Sequence, residues 1–118
     1  MIRIGESLPR ALHGCVEDER APWGFITAWN PFAQPASRER NRAAQRELLA
    51  ALCERGARMR AGTGVGKPVG AGQKRWREPS LFVTGLDFAA LDALGRRFEQ
   101  AAIVRGTGGG IAELRVLM

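Results

Sequence analysis

The run Trp23-Gly24-Phe25-Ile26-Thr27-Ala28-Trp29-Asn30-Pro31 decides how the rest of the chain is read. Phe25, Ile26, Thr27 and Trp29 favour strand, and the run is apolar on both faces, as a strand in the middle of a sheet is. Pro31 has no N–H to give to a central ladder, so the strand is expected to end at Asn30. An amide is thereby left at the carboxyl end of a central strand, a place where open α/β sheets carry their ligands.

Outward from that strand, Ser37 stands where it can cap a helix over about residues 38–55. Ala44, Leu48, Ala51 and Leu52 recur at helical spacing and predict its buried face, with Leu49 and Cys53 on the flank and Gly56 ending it. Asn41 continues the same face one turn earlier. An amide there is either hydrogen-bonded to the neighbouring loop or part of a site. Residues 57–62 read as a second strand and Leu81 to Thr84 as a third. Asp87 caps a second helix, about 88–99, with Phe88, Leu91, Leu94 and Phe98 as its core face and Gly95 permitting close packing. Residues 101–105 form a fourth strand, Gly106 to Gly110 a hairpin turn, and Ile111 to Met118 a final strand. Ahead of the central strand, Ile2-Arg3-Ile4 is expected as a short edge strand. Residues 8–19 are expected as a helix capped by Ser7 and weakened by Gly14.

From Trp23 the order strand, helix, strand, strand, helix, strand matches the ferredoxin-like βαββαβ motif, an α+β fold with both helices on one sheet face. The final strand and the short N-terminal strand and helix are additions to it. With 118 residues and no linker or repeat, the chain reads as a single domain over 1–118.

Composition narrows the chemistry. Cys15 and Cys53 lie far apart without metal-ligand spacing and His13 is the one histidine, so no metal site and no cofactor are expected, and the thiols are expected to be free and buried. Neither a Ser–His–acid nor a Cys–His arrangement can be drawn. No apolar run is long enough to span a bilayer and the N-terminus has no signal-peptide core, so a cytoplasmic location is expected. The net charge of +6 attracts polyanions. The basic residues are nearly all Arg, with Lys only at Lys67 and Lys74, so the charge reflects either an anion-binding face or a compositional bias. The glycine-rich stretch Gly62 to Gly72 is not a phosphate-binding loop. That pattern needs Gly where Ala61 stands and Ser or Thr where Pro68 stands. A lid or a hairpin tip is expected instead.

In the ferredoxin-like arrangement one end of the sheet collects the end of the central strand, the starts of the first long helix and third strand, and the start of the fourth strand. Asn30, Asn41, Arg42, Trp76, Glu78, Ser80 and Gln100 are therefore expected together as ligand-binding residues. Glu78 is the lone carboxylate among them. Desolvated and without a cation beside it, its pKa should be raised and it can serve as a general base; beside Arg42 or Arg77 the pKa should fall. Arg42, Arg75 or Arg77 can hold a phosphate or carboxylate.

The run Phe25-Ile26-Thr27-Ala28-Trp29-Asn30-Pro31, with Asn41-Arg42, Trp76-x-Glu78-Pro79-Ser80 and Gln100 to Val104, resembles a bacterial family, domain of unknown function 3293, over about Ile4 to Val104. The family brings no activity with it; its motif positions coincide with the end of the sheet just described.

Three readings of function follow. The leading one is a binding module for a small anionic, nucleotide-like ligand in a polar pocket at the end of the central strand. The alternative is a nucleic-acid-binding module using Arg38, Arg42, Arg46, Arg75 and Arg77, expected to bind weakly and without sequence selectivity because the Arg residues of the chain look scattered over the helix exterior, the second strand and loops. The third is an enzyme with Glu78 as general base. No membrane partner is expected.

Overall fold

The computed structural model describes residues 1–31, 34–66 and 76–118, the side chain of Trp76 excepted. A 3₁₀ helix, Arg10–Cys15, is followed by β1 (Pro22–Ile26), α1 (Arg38–Glu54), β2 (Arg58–Gly66), β3 (Trp76–Thr84), α2 (Phe88–Arg97), β4 (Ala102–Thr107) and β5 (Glu113–Val116). The five strands form one sheet in the order β2-β3-β1-β4-β5, antiparallel throughout. β1 is interior, between β3 and β4, and the first four strands have the ferredoxin-like order with β5 added outside β4.

Strand alternation assigns the two faces. Gly24 and Ile26 of β1 turn toward the helices; Trp23 and Phe25 turn away. On the helix side Ile26, Val83 and Ile103 pack under Leu48 and Leu52 of α1 and Leu91 and Leu94 of α2. The four leucines are fully buried, each worth about 1.5–3 kcal/mol of apolar transfer. Both helices start as expected, Ser37 accepting from the Arg40 N–H and Asp87 from the Ala90 N–H. Gly95 lets Leu117 and Ile103 close on α2: a Cβ there would stand 3.1 Å from Ile103 Cγ2 and collide with Leu117. Gly95→Ala is therefore expected to cost about 1 kcal/mol net, since overpacking (about 1–3 kcal/mol) outweighs the helix propensity gained (about 1 kcal/mol). A raised melting temperature would show that Leu117 swings aside.

The opposite face is covered only in part. Leu8, Trp23, Phe82 and Ala112 form a second cluster with Leu12 and Val16. The Trp23 and Phe82 rings lie 5.6 Å apart, and Trp23 Nε1 donates to the Thr107 carbonyl at 3.0 Å. The expected helix over 8–19 is only the six-residue 3₁₀ helix, in keeping with Gly14 near its end. The expected edge strand at residues 2–4 is reduced to isolated bridges, Ile4 with Ala112 and Ser7 with Ile111.

Two boundaries differ from the sequence reading and shape the site. β1 ends at Ile26, not at Asn30. Side chains replace the ladder from there: Thr27 Oγ1 donates to the Pro79 carbonyl (2.7 Å) and accepts from the Trp29 N–H (3.0 Å), while Gln45 Oε1 accepts from the Ala28 N–H (2.9 Å). β3, in turn, begins at Trp76, well before Leu81, and β2 runs on to Gly66, so the hairpin projects past the end of β1. Pro79 sits inside it without loss. Its carbonyl points to Thr27 and Gln45, on the side where β1 has already stopped, and a strand residue's N–H lies on that same side. Gly64 and Gly66, read as loop, are strand; residues 67–75, where the lid or hairpin tip was expected, lie outside the described residues. At the other edge β5 is shorter than Ile111 to Met118. The thiols are not buried: Cys15 is half-buried with Arg60 Nη1 at 3.2 Å from its Sγ, and Cys53, one position off the apolar face of α1, is exposed. Among the described residues no helix is long and apolar enough to cross a membrane.

Candidate functional site

The chain leaving β1 turns at Asn30, whose φ of 49° is left-handed, a conformation asparagine tolerates better than most residues. The turn is held by a reciprocal amide pair. The Asn30 N–H donates to Asn41 Oδ1 at 2.8 Å, and Asn41 Nδ2 donates to Asn30 Oδ1 at 2.9 Å. Asn30 Oδ1 also accepts from the Ala36 N–H (3.1 Å), and Asn41 Nδ2 reaches the Ala36 carbonyl (3.3 Å). The amide on the buried face of α1 is thus satisfied by the preceding loop, as buried polar groups are.

Asn30 also reaches β3, its Nδ2 donating to Glu78 Oε1 at a long 3.4 Å. Gln100 Nε2 donates to the Trp29 and Phe98 carbonyls, both at 3.2 Å, and so joins the same turn through the backbone next to Asn30. Ser80 Oγ bonds back to the Glu78 carbonyl at 3.2 Å. The two asparagines, the glutamate and the glutamine expected at one end of the sheet do meet there.

No cation pairs with Glu78 among the described residues. Half-burial pushes its carboxyl above the ordinary 4.5, and the Asn30 bond opposes that only in part. A carboxyl whose folded pKa is raised contributes stability that is fully present below its unfolded value and lost as pH rises through the folded one. Glu78→Gln keeps an acceptor for Asn30 and removes the charge. It should be at least as stable as the parent at pH 7, with that advantage shrinking toward pH 4, read from urea midpoints at the two pH values. A variant distinctly less stable at pH 7 would show a hidden cationic partner.

Arg42 is not in this network. It lies on the helix side of the sheet, in a groove of ≈ 550 Å³ between α1 and the start of β3. Arg38, Arg42 and Arg46 form one stripe along it; Trp29, Pro79 and Leu81 give it an apolar floor. None of the three arginines has an ion-pair partner among the described residues. The arginines that looked scattered are therefore in part aligned, while Arg75 lies outside the described residues and Arg77 is exposed on β3. The alignment opposes helix stability. Like charges at i, i+4 repel, and Arg38 begins the helix where the macrodipole favours anions.

Glu78, Ser80 and Gln100 line a separate hollow of ≈ 160 Å³ on the sheet face turned away from the helices. What the sequence suggested as one site is two, back to back, joined by the Asn30–Asn41 turn. Trp76 starts β3 above the hollow, paired with Gly66; its side chain is outside the described atoms. Two residues that build this end were missed. Gln45 Nε2 and Thr27 Oγ1 both donate to the Pro79 carbonyl, at 3.1 and 2.7 Å, tying α1 and the end of β1 to β3. The signal for Gln45 was its position four residues after Asn41, on the same helix stripe.

Fold and site together define a small α+β protein of ferredoxin-like topology with an arginine-lined groove and a carboxylate hollow at one end of its sheet. The chain belongs to the family described as "Protein of unknown function (DUF3293)", whose family model matches residues 26–103. Comparison with curated proteins finds no match. Among solved structures, a phage SAM lyase in complex with S-methyl-5'-thioadenosine is similar at 15% identity and a TM-score of 0.45, with 81% of this chain and 88% of that chain covered.

Proposed function

We propose that the chain is a binding module for a small anionic, nucleotide-like ligand, held in the groove at the end of the central strand. The observation that carries the reading is the lining: three guanidinium groups along one wall, an apolar floor with an indole in it, and no carboxylate among the described lining residues. Guanidinium groups hold phosphate in a bidentate fork, and an indole offers a flat surface to a planar ring. The size suits a mononucleotide, since small-molecule sites run to about 300–1,000 Å³. Gln45, already engaged with Ala28 and Pro79, orients the wall. Glu78 takes no part in this reading, because a carboxylate repels the ligand and lies on the other sheet face.

The test is titration with adenosine monophosphate and with adenosine, read at the Trp29 indole N–H resonance. Saturable binding of the monophosphate, at least tenfold tighter than the nucleoside, is expected. Equal binding of the two would remove the arginines from the reading. The same stripe favours a second reading, a nucleic-acid surface. Steeply salt-dependent binding of single-stranded oligonucleotides, without a saturable mononucleotide site, would put that reading in place of the first.

A further inference from the structure

The sheet face turned away from the helices has its own chemistry, and the groove uses none of it. Beyond Arg60, the residues β2 turns to that face are glycines: Gly62 stands opposite Ser80 and Gly64 opposite Glu78. The Phe25 ring lies along this bare strip, 3.0 Å from where a Cβ at Gly62 would be and 3.6 Å from one at Gly64. Across the hollow, Val104 of β4 and Leu114 of β5 are partners in register and form an apolar wall. Leu114 is 52% exposed, so the wall is open to a ligand. The N-terminal segment covers the neighbouring part of this face, around Trp23 and Phe82; Phe25 and Val104 pack at the margin of that cluster, and the hollow opens beyond it.

Glu78 is the one charged residue among the described residues lining the hollow. An ionised carboxylate has about four lone-pair positions, and among the described residues a single long bond from Asn30 is made to them. A second acidic residue or a histidine is missing: the described residues contain no group of acidic, His or Cys side chains able to hold a metal ion. An anion is repelled. A nucleotide is too large for ≈ 160 Å³, a space of about five waters at ~30 Å³ each. What remains is a compact cation. Its N–H donors make short, charge-assisted bonds to a desolvated carboxylate, the Phe25 ring lies within reach of its charge, and its apolar part is received by Val104 and Leu114.

We infer that this hollow is a second binding site, for a primary amine or a similar small organic cation borne on an apolar group, with Glu78 as the acceptor. It does not depend on the anion reading, since the groove lies on the helix side. The burial that raises the Glu78 carboxyl agrees with it: an arriving cation restores the charged form.

The test uses the full chain with benzylamine and its neutral counterpart benzyl alcohol, followed by methyl resonances of Val104 and Leu114 and the Gln100 side-chain amide. Benzylamine is expected to shift these resonances saturably and to bind about tenfold or more tighter than benzyl alcohol. It should also lower the pH midpoint of the Glu78 carboxyl resonance. Glu78→Gln should abolish the preference for the amine. Should that variant fold poorly, Leu114→Arg, at an open edge position, brings a guanidinium into the hollow that Glu78 also lines and should displace benzylamine with the fold intact. Equal affinity for amine and alcohol overturns the inference. So does an absence of saturable shifts at these residues, or amine binding unchanged by either substitution.

Discussion

Asp92→Asn is expected to lower the stability of the chain by about 3 kcal/mol. Asp92 is on α2, 7% exposed, and faces the outer strands. Both its oxygens accept from Arg105 Nη1, at 3.1 and 3.0 Å, and Oδ2 also accepts from Arg115 Nε at 3.1 Å. Arg105 in turn lies 4.4 Å above the centroid of the Phe88 ring. Removing one partner of a buried ion pair costs about 3–5 kcal/mol, because the remaining charge is left uncompensated. Here the side chains of Arg105 and Arg115 keep 20% and 44% of their exposure and can recover some hydration, which puts the loss at the low end. At roughly 4 °C per kcal/mol, the melting temperature should fall by about 12 °C. Amide exchange should rise most in β5, which carries Arg115 at the sheet edge. Replacing Asp92 and Arg105 together by leucine should recover most of the loss, as apolar replacements of buried pairs do. A loss under about 1 kcal/mol for Asp92→Asn would mean that water already screens the cluster.

Arg42→Glu should move binding and stability in opposite directions. Arg42 is the middle member of the groove stripe. Reversing it removes a charge-assisted contact worth about 1.5–3 kcal/mol and adds repulsion, so adenosine monophosphate should bind about a hundredfold more weakly. The helix gains. Two like-charge neighbours at i, i+4, each costing about 0.2–0.5 kcal/mol, become ion pairs, and an acidic residue near the start of α1 suits the macrodipole. The melting temperature should hold or rise slightly. A variant that binds the nucleotide as the parent does would take the groove out of the functional reading. A variant that loses stability along with binding would mean that Arg42 holds the helix in place.

Much of the architecture was legible in the chain because the signals are local and repeat. The apolar spacing of Leu48, Ala51 and Leu52 and of Leu91, Leu94 and Phe98 named the two buried helix faces. Ser37 and Asp87 marked where the helices begin, and Gly56, at φ 71°, stands just past the end of the first. Asn41 stood out because an amide at that spacing needs a partner, and it has one in Asn30. The order of elements was then enough for the ferredoxin-like topology, and the topology brought Asn30, Asn41, Glu78 and Gln100 to one end.

The extent of β1 and β3 was not legible, because what ends one strand and permits the other is a set of cross-chain bonds. Thr27 and Gln45 take over the backbone partners past Ile26, and Pro79 is harmless only because no strand lies on its N–H side. Read along the chain, Pro79 is a breaker; in the sheet it costs nothing. The same holds for the site. Residue order places Arg42, Glu78 and Gln100 at one end of the sheet, but it does not say on which side of a sheet one residue thick each side chain emerges. Strand alternation and the packing of α1 decide that, sending Arg42 to the helix side and Glu78 to the open face. The sequence by itself determined the elements, their order and the end where polar groups gather, since these follow from periodicity and capping within short segments. Only the tertiary structure divided those groups into an arginine-lined groove and a carboxylate hollow, because that division depends on which residues stand back to back across the sheet.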